Sequence, residues 1–393
     1  MVEALLVAGI VVALFVGYNI GGSTTGPAFG PAVGADAISK TGAAALMAVF
    51  FFGGAWTIGR EVVDTLGRDL ITESGVFTLE TSIVVLFFVG GALFVGNYAG
   101  VPASTSMTAV GAIAGLGVAT GALDWVVMGE IVVWWLVAPI LGFWVSGIIG
   151  RYLYPTINRW VAIEESDGSL IEFDRSGAIP IPRRGPDTTT RELAGAVTVV
   201  SIGCLMAFSS GTSNIANAIA PLVGADALGI SPLILLGCAA VAVGAFTIAR
   251  RTLDTLGNDI TDLPLTAAIV VAVVSSTIVV GLSTIGIPAS FVIIATMSIV
   301  GLGWGRATRT VTVSEGVRGN ADANVSVGAL AAEEPGEKAP EIGEEEPEDI
   351  PSAVDLFDPA TTGRVLLMQN VVPVISTAGA YATFWVLFEF VWV

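Results

Sequence analysis

Ten apolar runs, five and then five, dominate this chain. They occur at about 2–18, 43–59, 77–96, 100–120 and 125–149, and again, after a polar stretch, at about 193–210, 231–249, 264–282, 286–304 and 365–392. A bilayer crossing takes roughly 20 apolar residues, fewer where a helix is broken or re-entrant. Ten such runs cannot all be hidden from water in a soluble fold. Only 13% of residues are charged and 54% are hydrophobic, whereas soluble domains carry about 25% charged residues. The expected fold class is an all-α integral membrane protein, multi-pass, surrounded by the lipid bilayer. The 48 glycines among 393 residues suit helices whose backbones approach closely.

The two sets of runs repeat each other. GGSTTGPAFGPAVGADA (21–37) aligns without a gap on GTSNIANAIAPLVGADA (211–227), an offset of 190 residues. The same offset carries TIGREVVDTLGRDLI (57–71) onto TIARRTLDTLGNDIT (247–261), keeping Arg60/Arg250, Asp64/Asp254, Gly67/Gly257 and Asp69/Asp259. VPAS (101–104) then pairs with IPAS (287–290), and GLG (115–117) with GLG (301–303), at offset 186. Five crossings per half is an odd number, so the second half enters from the opposite face. The expectation is two inverted-topology repeats of about five segments each, as in many secondary transporters.

Charge placement orients them. With the N-terminus outside, Lys40, Arg151, Arg159, Arg175, Arg183, Arg184, Arg191, Arg250, Arg251, Arg306, Arg309, Arg318, Lys338 and Arg364 fall inside, and only Arg60 and Arg68 outside, a split of 14 to 2. The positive-inside rule favours that orientation. The organisation read from this is a first membrane repeat at 1–149, a cytoplasmic loop at 150–192, a second repeat at 193–304, an acidic linker at 305–363 and a final span at 364–393. Both termini are expected outside the cell membrane. The opening MVEALLVAGIVVALFVGY has Glu3 where a signal peptide has basic residues, and reads as a retained span.

Composition excludes several chemistries. There is no His, so no Ser-His-Asp triad and no imidazole metal site. Cys204 and Cys238 both lie in apolar runs and read as buried thiols rather than a disulfide framework. The net charge is −18 and Lys40 and Lys338 are the only lysines, which excludes nucleic acid as a partner. Twelve acids against Lys338 within 320–360, with Pro335, Pro340, Pro347 and Pro351, mark that segment as a solvated acidic linker. The acidity overall suggests a salt-loving source. None of this speaks for an enzyme, and the oligomeric state, with a homo-oligomer among the options, is left open.

Transporter sites lie where backbone unwinds at mid-membrane and half-helix N-termini meet anions. Two matched pairs of Gly/Pro-interrupted segments carry polar groups. In the first, Ser23, Thr24 and Thr25 correspond to Ser213, Asn214 and Asn217, with helix breaks expected at Gly21–Gly34 and Gly211–Gly224. In the second, Pro102 precedes Ser104, Thr105 and Ser106, and Pro288 precedes Ser290. Proline followed by a hydroxyl residue is a helix-start signal, and a helix start with free N–H groups cradles an oxyanion. These ten residues are the candidate substrate-binding set. Small polar residues also serve as interhelical hydrogen bonds or caps with no ligand. Asp36, Asp64, Asp226 and Asp254 are further candidate carboxylates, with Arg60–Asp64 and Arg250–Asp254 the blander reading as i,i+4 pairs.

These motifs resemble the inorganic phosphate transporter (PiT) family of membrane permeases, whose repeat reads roughly G-x-N-D-x-A-N-x-x-G-x-x-V-G with a later P-V-S-T-T-H-x-x-x-G. The resemblance runs over about 4–310 and the last span. It implies phosphate uptake by alternating access, coupled to Na⁺ or H⁺ by symport, with re-entrant hairpins holding phosphate between the repeats. The family's paired aspartates fall on Thr24 and Asn214 here, and its histidine on Met107. Thr24, Asn214 and Asn217 are then the candidate Na⁺ ligands. A transporter or channel for another oxyanion such as sulfate, and a transport-inactive sensor, are the alternatives. Single cysteines at Ser166 and Ser352, in a background lacking Cys204 and Cys238, are expected to resist an impermeant thiol reagent in right-side-out vesicles. Labelling of both contradicts the cytoplasmic placement.

Overall fold

The structure is a computed structural model that describes residues 2–34, 37–73, 75–98, 104–161, 171–174, 181–184, 189–249, 265–307 and 359–391. The acidic segment 308–358, Asp36, Pro102, Arg250 and Asp254 lie outside the described residues. In chain order the helices are α1 (Val2–Gly34), α2 (Lys40–Trp56), α3 (Gly59–Asp64), α4 (Leu79–Tyr98), α5 (Thr105–Thr120), α6 (Trp125–Ile148), α7 (Tyr154–Val161), α8 (Thr190–Gly224), α9 (Ile230–Thr247), α10 (Leu265–Thr284), α11 (Phe291–Ala307) and α12 (Pro359–Val386). A two-stranded antiparallel hairpin, β1 (Ile171–Asp174) with β2 (Ile181–Arg184), interrupts the loop between α7 and α8.

The protein is an all-α membrane fold. Among the described residues, seven helices have the length and apolar character of a crossing, α2 and α3 form a pair bent by 66°, and α5 and α11 are shorter apolar helices. Those ten units fall on the ten apolar runs. Exposed Val7, Phe50, Phe87, Leu136, Val243 and Trp385 are accounted for by lipid contact rather than by a missing partner.

The expected helix breaks at 21–34 and 211–224 are overturned. Both stretches are helical throughout, inside helices of 33 and 35 residues. The glycines there serve close approach instead. A Cβ on Gly21 would sit 2.0 Å from the Val241 carbonyl oxygen in α9, and one on Gly211 would sit 2.1 Å from the Phe51 oxygen in α2. A Cβ on Gly244 would likewise collide with the Tyr18 oxygen, and one on Gly54 with the Phe208 oxygen. The 190-residue offset maps each of these contacts onto another: 21 to 211 and 241 from 51, 54 to 244 and 208 from 18. Pro27, Pro31 and Pro221 stay helical because packed neighbours and hydroxyls re-satisfy backbone groups in a membrane bundle. Thr24 Oγ1 donates to Ile20 O at 2.7 Å and Thr25 Oγ1 to Gly21 O at 2.7 Å.

The second motif pair behaves as a helix start. Ser104 caps α5, its Oγ accepting from the Met107 N–H at 3.3 Å, and Ser290 caps α11, accepting from the Ile293 N–H at 3.4 Å. Both caps are buried, so these helices begin inside the protein. α5 lies along α12, and α11 along α6. Gly115 approaches the Thr377 oxygen, and Gly301 the Phe143 oxygen.

Gly211→Val should lower the melting midpoint of the detergent-solubilised protein by roughly 3–10 °C, because overpacking at a backbone contact costs about 1–3 kcal/mol. Gly91→Ala in α4, where a Cβ meets nothing within 4 Å, should leave it unchanged. Equal midpoints for the two would remove the helix crossing as a source of stability.

Candidate functional site

Four elements meet at one narrow cleft. α1 contributes Ser23 and Thr24, α5 contributes Thr105, α8 contributes Ser210 and Asn214, and the start of α11 contributes Ser290, Phe291 and Val292, with Pro27, Ala28 and Met206 completing the lining. Five residues predicted from sequence therefore share one space: Ser23, Thr24, Thr105, Asn214 and Ser290. They come from both halves of the chain.

Asn214 is the hub. Its Oδ1 accepts from the Thr105 hydroxyl and, at 3.1 Å, from Asn217 Nδ2, while its own Nδ2 donates to Ser210 Oγ at 2.9 Å. Asn217 lies one bond behind the cleft. It is 1% exposed, and its Oδ1 has no hydrogen-bond partner among the described residues. On the opposite wall Ser23 Oγ and Thr24 Oγ1 both donate to Ile20 O, at 3.1 and 2.7 Å. Thr24 is half-buried, the others buried.

The remaining predicted residues stand around this space. Thr25 is buried and bonded to Gly21 O. Ser104 is the α5 cap. Ser106 and Ser213 hold the backbone of Ala289: the Ala289 oxygen accepts from Ser213 Oγ at 2.9 Å and Ser106 Oγ at 3.0 Å, and the Ala289 N–H donates to Ser213 Oγ at 3.1 Å. Ser210 was not singled out from sequence. Its signal was there: it lies four residues before Asn214, so one helical face carries both.

The cleft is electrically neutral, since no charged side chain lines it. Asp64 instead pairs with Arg68 at 2.6 Å on an exposed face. That corrects the expected partner, Arg60, which stacks on Trp56 and donates to Ser231 Oγ at 3.0 Å. The reason is geometric: both pairings are four residues apart, but Arg60 is drawn to the Trp56 ring and the neighbouring α9. Asp226 is exposed in a turn, at φ 50°. Among the described residues there is no group of three Asp, Glu or Cys side chains able to hold a metal. What the cleft offers is hydroxyls, amides and the first-turn N–H groups of α11, all suited to an oxyanion by donation and to an alkali cation by lone pairs. Its free space is on the order of a single water molecule, so a tetrahedral anion requires it to widen.

A profile of the phosphate transporter family matches residues 20–328. The sulfate permease CysP of Bacillus subtilis is 32% identical over 300 residues, 75% of this chain and 76% of that protein. A Chlamydia trachomatis protein provisionally named a phosphate permease is 25% identical, over 79% of this chain and 92% of its own. Among solved structures, the sodium-dependent phosphate transporter superposes with a TM-score of 0.69 at 17% identity, covering 99% of this chain and 100% of that one; at that identity the likeness is one of fold.

The geometry separates two neighbouring residues. Thr105→Val should raise the half-saturation for phosphate or sulfate about tenfold, since a hydrogen bond to a charged group is worth about 1.5–3 kcal/mol. Ser104→Ala should chiefly lower thermal stability, by about 0.5–2 kcal/mol, through loss of a cap. Unchanged half-saturation in Thr105→Val would take that hydroxyl out of the site.

Proposed function

Because the chain belongs to the phosphate transporter family, we propose that it is a multi-pass permease carrying a tetrahedral oxyanion, inorganic phosphate, across the cell membrane by alternating access. The observation that carries this reading is the cleft itself: donors from both halves converge on one buried space beside the starts of two short helices. Rocking of one half against the other would expose such a space to each side in turn. The recurrence of helix contacts at the 190-residue offset supports two inverted repeats, and the 14-to-2 charge split supports termini outside, with 150–192 and 305–363 cytoplasmic.

Na⁺ or H⁺ is the proposed coupling ion. Of the three proposed Na⁺ ligands, Asn217 has a buried oxygen without a partner among the described residues, while Asn214 Oδ1 already accepts two bonds. Neutral oxygens attract a cation less than carboxylates do, and the difference grows as the local dielectric falls. Coupling through this set is accordingly weak, with Thr24 and Asn214 where the resemblance has aspartates.

A second reading, sulfate, is favoured by the same neutrality. Near neutral pH phosphate carries protons that need an acceptor, and a carboxylate is the matching one. Sulfate carries none and asks only for donors, which is what this cleft supplies. The name of the Bacillus subtilis relative agrees with it.

Uptake of labelled phosphate and sulfate into proteoliposomes separates the readings. Saturable phosphate uptake, competed by sulfate, is expected. Saturable sulfate uptake that phosphate does not inhibit replaces the first reading by the second, and binding without flux of either makes the protein a sensor. Uptake should depend only weakly on Na⁺ at modest salt, and Thr24→Asp with Asn214→Asp should steepen that dependence. Steep dependence at low millimolar Na⁺ in the unmodified protein would overturn the coupling argument.

A further inference from the structure

Between α10 and α11 the chain is not helical, yet from Gly286 to Ser290 it is buried. α10 closes with the Gly286 N–H on Ser283 O at 3.1 Å and the Ile287 N–H on Leu282 O at 3.0 Å. Gly286 sits at φ 76°, where an added Cβ would meet Thr65 Oγ1. From there Ile287, Ala289 and Ser290, all under a tenth exposed, lead into the first turn of α11 at the cleft. Backbone of this kind inside a membrane protein must find its hydrogen bonds from other elements. Ala289 finds them on Ser213 and Ser106. The Pro288 carbonyl finds its own on α6: the indole Nε1–H of Trp135 donates to it at 2.8 Å.

Trp135 is thereby tied to the cleft from behind. It lines, with Met107 and Pro139, a second narrow cleft on the far side of Ala289 and Ser290. Pro139 follows it by four residues within α6. A proline there has no N–H to give, so the Trp135 carbonyl lacks its usual helical partner and α6 is locally softened. The residue that pins the link thus sits at the weak point of its own helix. The hydrogen bond to Pro288 joins that point of α6 to the chain two residues before the Ser290 cap.

We propose that Trp135 is a positioning residue for the oxyanion site: its indole N–H holds the Pro288 carbonyl, and so sets Ser290 and the first-turn N–H groups of α11 at the cleft, coupling their position to the bend of α6. The inference rests on the oxyanion-permease reading for its kinetic consequence, but its structural half stands without it.

The test uses the full chain and two readouts. Trp135→Phe keeps an aromatic ring and removes the donor. Amide exchange followed by mass spectrometry should rise in the 285–294 segment of the substrate-free protein, and remain as before in α1 and α9. In proteoliposomes the half-saturation for whichever of phosphate and sulfate is carried should rise roughly fivefold or more, with the maximal rate within about twofold. Trp135→His, which keeps a ring N–H, should lie between; it also carries the test if Trp135→Phe does not fold. Trp144→Phe, an exposed tryptophan of the same helix, should change neither readout. Unaltered exchange and half-saturation in Trp135→Phe, with transport intact, overturns the proposal. Equal losses from Trp135→Phe and Trp135→His, confined to the maximal rate, also overturn it. If the unmodified protein carries neither anion, the functional reading fails, and the exchange result alone decides whether Trp135 holds the link.

Discussion

Inside a bilayer an unpaired backbone carbonyl or N–H costs several kcal/mol, and this requirement organises the middle of the molecule. Two helices, α5 and α11, begin at buried positions, so their first N–H groups and the chain leading into α11 need partners away from water. Ser104 and Ser290 supply the caps. Ser106, Ser213 and Trp135 supply donors for the Ala289 and Pro288 carbonyls. The cleft is what is left between these obligations. It lies against the first turn of α11, where Ser290 accepts from the Ile293 N–H through its hydroxyl and from the Ile294 N–H through its carbonyl.

Around this centre the frame is closely packed for a different reason. α1 crosses α9, and α2 crosses α8, with glycine against carbonyl oxygen at each crossing. At such contacts dispersion acts between backbones and no side-chain rotamer can relax the fit. The polar residues of the cleft are held in the opposite way. Ser23 and Thr24 share one carbonyl, and Thr105 and Asn217 share one amide oxygen. Hydroxyl rotors can exchange such partners for an anion once the cleft has widened. The crossings thus join the two halves closely, while the donors between them can turn.

The sequence carried the fold well and the site in part. Apolar length and the 190-residue repeat located all ten membrane units, because both depend on chain-local chemistry. Pro-Ala-Ser marked the two helix starts for the same reason. Gly21–Gly34 misled, since glycine and proline signal a break when read along the chain, while the partners that keep α1 helical, such as Val241, lie about 220 residues away. For Ser106 and Ser213 the sequence declares a capacity to bond but not the partner; only the folded chain brings Ala289 to them. Trp135 went unnoticed among many aromatic residues of an apolar run. Its one clue was Pro139 four residues on, and that clue has meaning only once the Pro288 carbonyl is known to accept from the Trp135 indole.

The neutrality of the cleft then sets how such a site can work. An anion entering a space without arginine or lysine gains no direct ion pair, and it gives up water to get there. Stabilisation must come from dipoles: hydroxyls, the Asn214 and Asn217 amides, and the starts of α5 and α11. Each is individually modest, so the number and aim of the donors decide affinity, and an error in one helix start is felt at once. The arrangement has a compensating virtue. A site held by dipoles binds without the depth of a charge pair, and a permease needs release on the far side as much as capture on the near one. Thr24 and Asn214, where the resemblance has aspartates, fit that balance, since carboxylates beside an anion would repel it unless cations or protons came with it. In the proposed reading the coupling ion and the anion are one electrostatic problem, and a neutral cleft lowers the claims of both charges on the protein.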